Sequence, residues 1–132
     1  MSLILDPSLN AETYVLDSWP FLERELRGAA IPRLEQLMGS AALGQLRLLI
    51  SEMNLGEIFY LLAKRRGERD AEAWIEVARQ LPIEVIPVTS EQIWAAARLK
   101  AKATLSYADC FVAVTAQMHD GKVVTGDPDF LE

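Results

Sequence analysis

Four acids in this chain stand where a carboxylate can meet a ligand: Asp17, Glu57, Asp109 and Asp127. Asp17 closes the short β-prone run Tyr14-Val15-Leu16, and Asp127 lies just past the run Val123-Val124-Thr125. Glu57 falls about one turn into a helical pattern that follows the apolar run Leu46 to Ile50, and Asp109 falls one turn into another. Open parallel α/β sheets bind ligands outside the carboxyl ends of their strands. All four acids are therefore predicted on one rim. Helix N-termini nearby offset part of their mutual repulsion. A bound cation best relieves the rest, and an all-oxygen donor set suits Mg²⁺ or Mn²⁺.

Each acid taken alone has an ordinary structural reading. Asp17 caps a helix, Asp109 is the third residue of a capping box, Asp127 starts a turn before Pro128, and Glu57 is a solvated helix charge. Their coincidence on one rim favours a site. Asp6, at the end of Leu3-Ile4-Leu5, competes with Asp17 for the first position. Asp17 is preferred because a plausible helix follows it directly, whereas a polar stretch and a strand follow Asp6.

The elements that must carry these residues follow from periodicity and punctuation. Strands are predicted at Tyr14–Leu16, Leu46–Ile50, Ile83–Val88 and Val123–Thr125, the third short or at an edge because Pro87 cannot donate to a ladder. Asp17-Ser18 with Pro20 opens a helical stretch that reaches about Met38, broken near Gly28 and Pro32 into two helices. Helices are also predicted from Met53 to Arg66, with Gly67 as the stop, and from Glu68 to Leu81, with Trp74, Ile75, Val77 and Ala78 on the inner side. Thr89-Ser90-Glu91-Gln92 has the capping-box pattern and opens a helix through Lys102. Ser106-Tyr107-Ala108-Asp109 opens the last, through about Met118. Strands alternating with helices imply a three-layer α/β/α domain with a mostly parallel sheet of about four strands. One domain over 1–132 is expected, with 1–12 as an extension and 13–130 as the core.

Composition narrows the chemistry. No apolar run approaches a membrane span, and the start lacks a signal peptide's basic region. The single cysteine, Cys110, suits a reducing cytoplasm. The net charge of −6 does not decide for or against a nucleic-acid partner: taking four clustered acids from 19 leaves 15 against 13 bases, or −2. The bases are grouped as Lys64-Arg65-Arg66 with Arg69, and as Arg98, Lys100 and Lys102. Paired-histidine catalysis is excluded because His119 is the only histidine. Cys110 and His119 lie about half a turn out of phase along one helix, too far for a dyad. One Cys and one His are too few for a zinc site. No glycine-rich phosphate loop with Lys and Ser/Thr is present. Cys110 is expected in the core and His119 at the surface near a helix end. Among the aromatics, Phe59, Tyr60, Trp74, Trp94 and Phe111 are expected mostly in the core. Trp19 and Phe21, beside the acids, are the candidates to stack a base or seat a partner's side chain.

Four segments then resemble a known family. Val15-Leu16-Asp17-Ser18, Asn54-Leu55-Gly56-Glu57, Leu105-Ser106-Tyr107-Ala108-Asp109 and Val124-Thr125-Gly126-Asp127-Pro128-Asp129-Phe130 are similar to the four acidic motifs of PIN-domain nucleases. The match is closest to the VapC-type toxins of type II toxin–antitoxin pairs, and covers roughly residues 13 to 130. The resemblance implies that Asp17, Glu57, Asp109 and Asp127 hold one or two Mg²⁺ or Mn²⁺ ions. It makes Ser18, Asn54 and Thr125 polar neighbours that orient carboxylates or water, with Asp129 in a supporting place. It further implies in-line hydrolysis of RNA, usually tRNA or rRNA, a homodimer, and a VapB-like antitoxin over the groove. Trp19-Pro20 departs from the small or aliphatic residues common after the first acid. The extension before Tyr14 is longer than usual, and the strand and helix often found after Phe130 are absent or truncated. Housekeeping PIN nucleases share the acids. A phospho-receiver domain would want a lysine after its last strand, but Lys122 precedes it. An inert PIN-like binder would usually lack one of the acids, and this chain keeps all four.

Overall fold

In a computed structural model of the chain, residues 12–28 and 30–124 are described. Strands β1 (Glu12–Leu16), β2 (Leu46–Ser51), β3 (Glu84–Ile86) and β4 (Lys122–Val124) form one sheet in the order β3-β2-β1-β4. Every pairing is parallel. The register sets Leu16 level with Ile50 and with Val124, and Ile50 level with Val85. Side chains alternate across a strand, so these four share one face. Val15, Leu49 and Val123 share the other.

The first face, with Leu16, Leu48 and Ile50, is covered by α1 (Trp19–Arg27), α2 (Pro32–Ala42), α3 (Glu52–Arg66) and α4 (Glu68–Ala78). Phe21, Leu34, Leu37, Ile58, Leu62 and Ala71 fill this core. The second face is covered by α6 (Tyr107–Met118), through Val112 and Ala116. Helix α5 (Ser90–Lys100) stacks on α6 through Ala96, against Cys110, Phe111 and Val114. The expected three-layer parallel arrangement is present. Two hydrogen bonds of 2.9 Å from Arg47 hold Glu84, tying edge strand β3 to β2. Those bonds keep the Glu84 carboxyl below its ordinary pKa. No helix among the described residues is long and apolar enough to cross a membrane.

Local signals are realised closely at helix starts. Thr89 and Gln92 make both reciprocal bonds of a capping box, each 3.2 Å, and the Ser106 hydroxyl accepts from the Asp109 N–H at 3.1 Å. Gly28 ends α1 at φ 64°, where L side chains are strained. Two helix ends fall short of expectation. Residues 79–81 close as a tight turn after α4, through Gln80 N–H to Val77 and Leu81 N–H to Ala78. Helix α5 stops at Lys100, because the Lys102 N–H already turns back to Leu99.

Three aromatic or apolar placements need correction. Tyr60 and Trp94 are 51% and 61% exposed rather than core. Buried Ile58 and Leu62 set the inner side of α3, and Gln92 and Ala96 that of α5. A residue two positions from both members of such a pair points the opposite way. Val77 is likewise outside, and Ala71 is the fully buried residue of α4. Cys110 is buried as expected, and burial pushes its thiol pKa up. His119 caps the C-terminus of α6.

The return from α6 into β4 depends on Gly121. A Cβ there would lie 3.2 Å from Thr13 O, Thr13 Cγ2 and Val15 Cγ2. Gly121→Ala is expected to cost about 1–2 kcal/mol by overpacking against β1. Urea denaturation checks this, with a lowered midpoint and an unchanged slope as the expected result.

Candidate functional site

Asp17 is the first residue past β1, and its N–H points to Val124 O at 3.5 Å. Strand β2 lies on one side of β1 and β4 on the other. The chain therefore changes direction across the sheet between β1 and β4, the kind of switch point where such sheets bind ligands. Asp17 stands at its carboxyl end with only 2% of its surface exposed. Its Oδ1 accepts the Trp19 N–H at 3.0 Å, which fixes the turn into α1.

Ser18 occupies the N-cap position of α1 yet makes no side-chain cap. Its hydroxyl instead donates to Glu57 Oε1 at 2.5 Å, across 39 residues of sequence. One bond thus joins the end of β1 to the second turn of α3. Asn54 lies three residues before Glu57, near the same face of α3, and is fully buried. Its Nδ2 donates to Ala108 O at 3.2 Å, so the residue before Asp109 is pinned to α3. Two hydrogen bonds therefore bring the segments bearing Asp17, Glu57 and Asp109 against one another. An open hollow beside them is lined by Glu52, Met53, Gly56, Glu57, Tyr60 and Ala108.

Helix N-termini surround the acids: α1 starts two residues after Asp17, and Asp109 lies in the first turn of α6. Their positive ends favour carboxylates there. Asn54 Oδ1 is the one buried side-chain polar atom with no hydrogen-bond partner among the described residues. Leaving a buried acceptor unmatched costs about 1–3 kcal/mol. The orphan is what a site meant to receive a donor from a ligand or its water would show. The surrounding donors are hard oxygens, which fits Mg²⁺ or Mn²⁺ and not a soft metal. Among the described residues no three acids form a complete metal-binding group. Asp127, Thr125 and Asp129 lie outside the described residues, as does Asp6.

Phe21 is not a groove residue. It is 1% exposed and packs edge-on against Trp74, with ring centroids 5.5 Å apart. Two positions earlier in α1, Trp19 is 40% exposed. Sequence reasoning missed Ser51, fully buried at the end of β2, one position past the Leu16–Ile50 pair and hence level with Asp17. Its hydroxyl caps α3 by accepting the Met53 N–H. The signal was present, since a small hydroxyl residue between an apolar strand run and a helix is an N-cap pattern.

A parallel sheet with buried and bridged carboxylates at its switch point is the architecture of a PIN domain. The family model described as PIN domain matches residues 15–132, and the chain belongs to this family. Among solved structures, the chain is similar to the Mycobacterium tuberculosis toxin VapC20, described as cleaving the sarcin–ricin loop. That match has 20% identity and a TM-score of 0.70, covering 89% of this chain and 92% of the other. It is also similar to DNA-bound VapBC from Salmonella typhimurium, at 18% identity and a TM-score of 0.72, over 92% of each chain. VapBC2 from Rickettsia felis, bound to a promoter DNA fragment, matches at 15% identity and a TM-score of 0.69, covering 90% of this chain and 91% of the other. At these identities the likeness establishes a shared fold. No curated protein matches the sequence.

Proposed function

We propose that this protein is a divalent-cation-dependent endoribonuclease and the toxin of a VapBC-type toxin–antitoxin pair. The observation that carries this reading is the Ser18–Glu57 bond. It holds a carboxylate of α3 against the strand end that bears the buried Asp17. Membership of the PIN family and the fold shared with VapC proteins support it. Asp17, Glu57, Asp109 and Asp127 would hold one or two Mg²⁺ or Mn²⁺ ions. When bound, such a cation activates water and offsets charge on the phosphate during in-line hydrolysis. Ser18 orients Glu57, Asn54 fixes Ala108 and so the start of α6, and Thr125 and Asp129 support the last acid. Trp19 borders the path of the substrate. A VapB-like antitoxin, a homodimer, a cytoplasmic location and a single domain over the whole chain belong to the same reading.

Metal removal tests it. Purified protein is expected to cut labelled tRNA or rRNA with Mg²⁺ or Mn²⁺, to stop in excess EDTA, and to resume when either ion is restored. Equal cleavage with and without EDTA would overturn the proposal.

A further inference from the structure

Residues 92–108 carry three bases, Arg98, Lys100 and Lys102, and no acid, in a chain of net charge −6. All three are exposed, and among the described residues none makes an ion pair. Arg24, Arg27, Arg47, Arg66 and Lys122 pair with glutamates, whereas Arg33, Lys64, Arg65, Arg69 and Arg79 make no ion pair among the described residues either. The place of the three matters as much as their charge. Only residues 101–106 connect α5 to α6, and the two helices pack on each other. The chain therefore doubles back, setting the basic end of α5 beside the N-terminus of α6, where Asp109 lies. Lys100 is near enough to act electrostatically on Cys110, the next residue. The other basic group, Lys64 to Arg69, begins seven residues beyond Glu57, about 10 Å farther along α3.

Trp94 adds a second chemistry. It is 61% exposed and sits one turn before Arg98 on the same side of α5, opposite the buried Gln92 and Ala96. An indole beside unpaired cations can stack a base while the cations take phosphates. Bases in a duplex are already stacked, so an unpaired strand suits this surface. A carboxylate site also repels the phosphate backbone, and unpaired cations at its edge offset that repulsion.

We propose that the end of α5 and the turn into α6 form a binding surface for single-stranded RNA. Arg98, Lys100 and Lys102 hold phosphates beside the cleavage site, and Trp94 stacks an unpaired base. The proposal rests on the ribonuclease reading and names where the substrate is gripped.

The test is anisotropy of a labelled single-stranded RNA of about 12 nucleotides, titrated with full-length protein in EDTA over a series of salt concentrations. The triple variant Arg98→Gln/Lys100→Gln/Lys102→Gln is expected to bind about tenfold or more weakly, with the salt slope reduced by about two. Trp94→Ala is expected to lose about fivefold or more with its slope unchanged, and Trp94→Phe to recover most of that loss. Lys64→Gln/Arg65→Gln/Arg69→Gln removes the same charge far from the site and is expected to stay within about twofold of wild type. Equal weakening by the two triple variants would mean diffuse charge attraction and overturn the proposal. So would a Trp94→Ala protein that keeps its RNA affinity but sediments as a monomer where wild type is a dimer, since the surface would then join two copies. Cleavage with Mn²⁺ is scored separately. Binding as described without any cleavage leaves the surface standing and removes the ribonuclease reading. Cleavage with binding unaltered in both the basic triple and Trp94→Ala does the reverse.

Discussion

Asp17→Asn is expected to lower RNA cleavage by about a thousandfold while leaving the fold intact. A carboxylate that is 2% exposed at the switch point is costly to keep charged without a cation or strong donors. Its placement makes sense if the charge is used. Losing about 4 kcal/mol of charge stabilisation corresponds to that thousandfold. Asparagine keeps the size of the side chain and an Oδ1 to accept the Trp19 N–H, so the entry to α1 should survive. Calorimetric titration with Mn²⁺ should show affinity reduced by tenfold or more, roughly the loss seen when even a supporting residue of a metal site is removed. Asp109→Asn is expected to behave in the same way, because the Ser106 cap engages its backbone N–H and not its carboxylate. Undiminished cleavage by the double variant would remove both acids from the catalytic assignment.

Phe21→Ala is expected to have the largest effect on stability, about 3–5 kcal/mol. Phe21 is enclosed between the sheet and α4, edge-on to Trp74, with the Arg24 guanidinium 5.7 Å from its ring centre. Such a loss is a large part of the 5–15 kcal/mol typical of a whole domain. It should lower the melting temperature by roughly 10 °C or more. Trp19→Ala is the informative partner. With 40% of its surface exposed, Trp19 should cost about 1 kcal/mol or less when truncated. Its effect should fall on RNA cleavage. Thermal melts and kcat/KM measured on both variants separate the roles. A Phe21→Ala protein that melts like wild type would contradict the core placement.

The positions of Asp17 and Asp109 in the fold are legible because each is marked by its immediate surroundings. Asp17 ends an apolar run, and Asp109 follows the Ser106 cap, whose hydroxyl accepts the Asp109 N–H. Helix starts were legible for the same reason, since a cap engages residues only two or three positions away. Helix ends were less so, because the last turns after Ala78 and Lys100 tighten without any glycine to announce it. Phe21 and Trp19 show the limit clearly. Both are large aromatics at the start of one helix, and local preference treats them alike. Only the rotation of α1 against Trp74 and the sheet separates the buried residue from the exposed one. The outward turn of Tyr60 and Trp94 is decided in the same way.

From the sequence alone come the alternation of strands and helices, the parallel layered fold, and the placement of Asp17, Glu57 and Asp109 near strand ends or helix starts. These depend on periodicity and on contacts within a turn or two. Tertiary structure decided that β1 lies between β2 and β4, which puts Asp17 at the switch point. It also turned Ser18 from a helix cap into a donor to Glu57, and left Asn54 Oδ1 buried without a partner among the described residues. Those outcomes depend on which apolar faces meet between segments far apart in the sequence. Long-range burial outweighs local preference there, because it removes whole side chains from water at once while a cap supplies a single hydrogen bond.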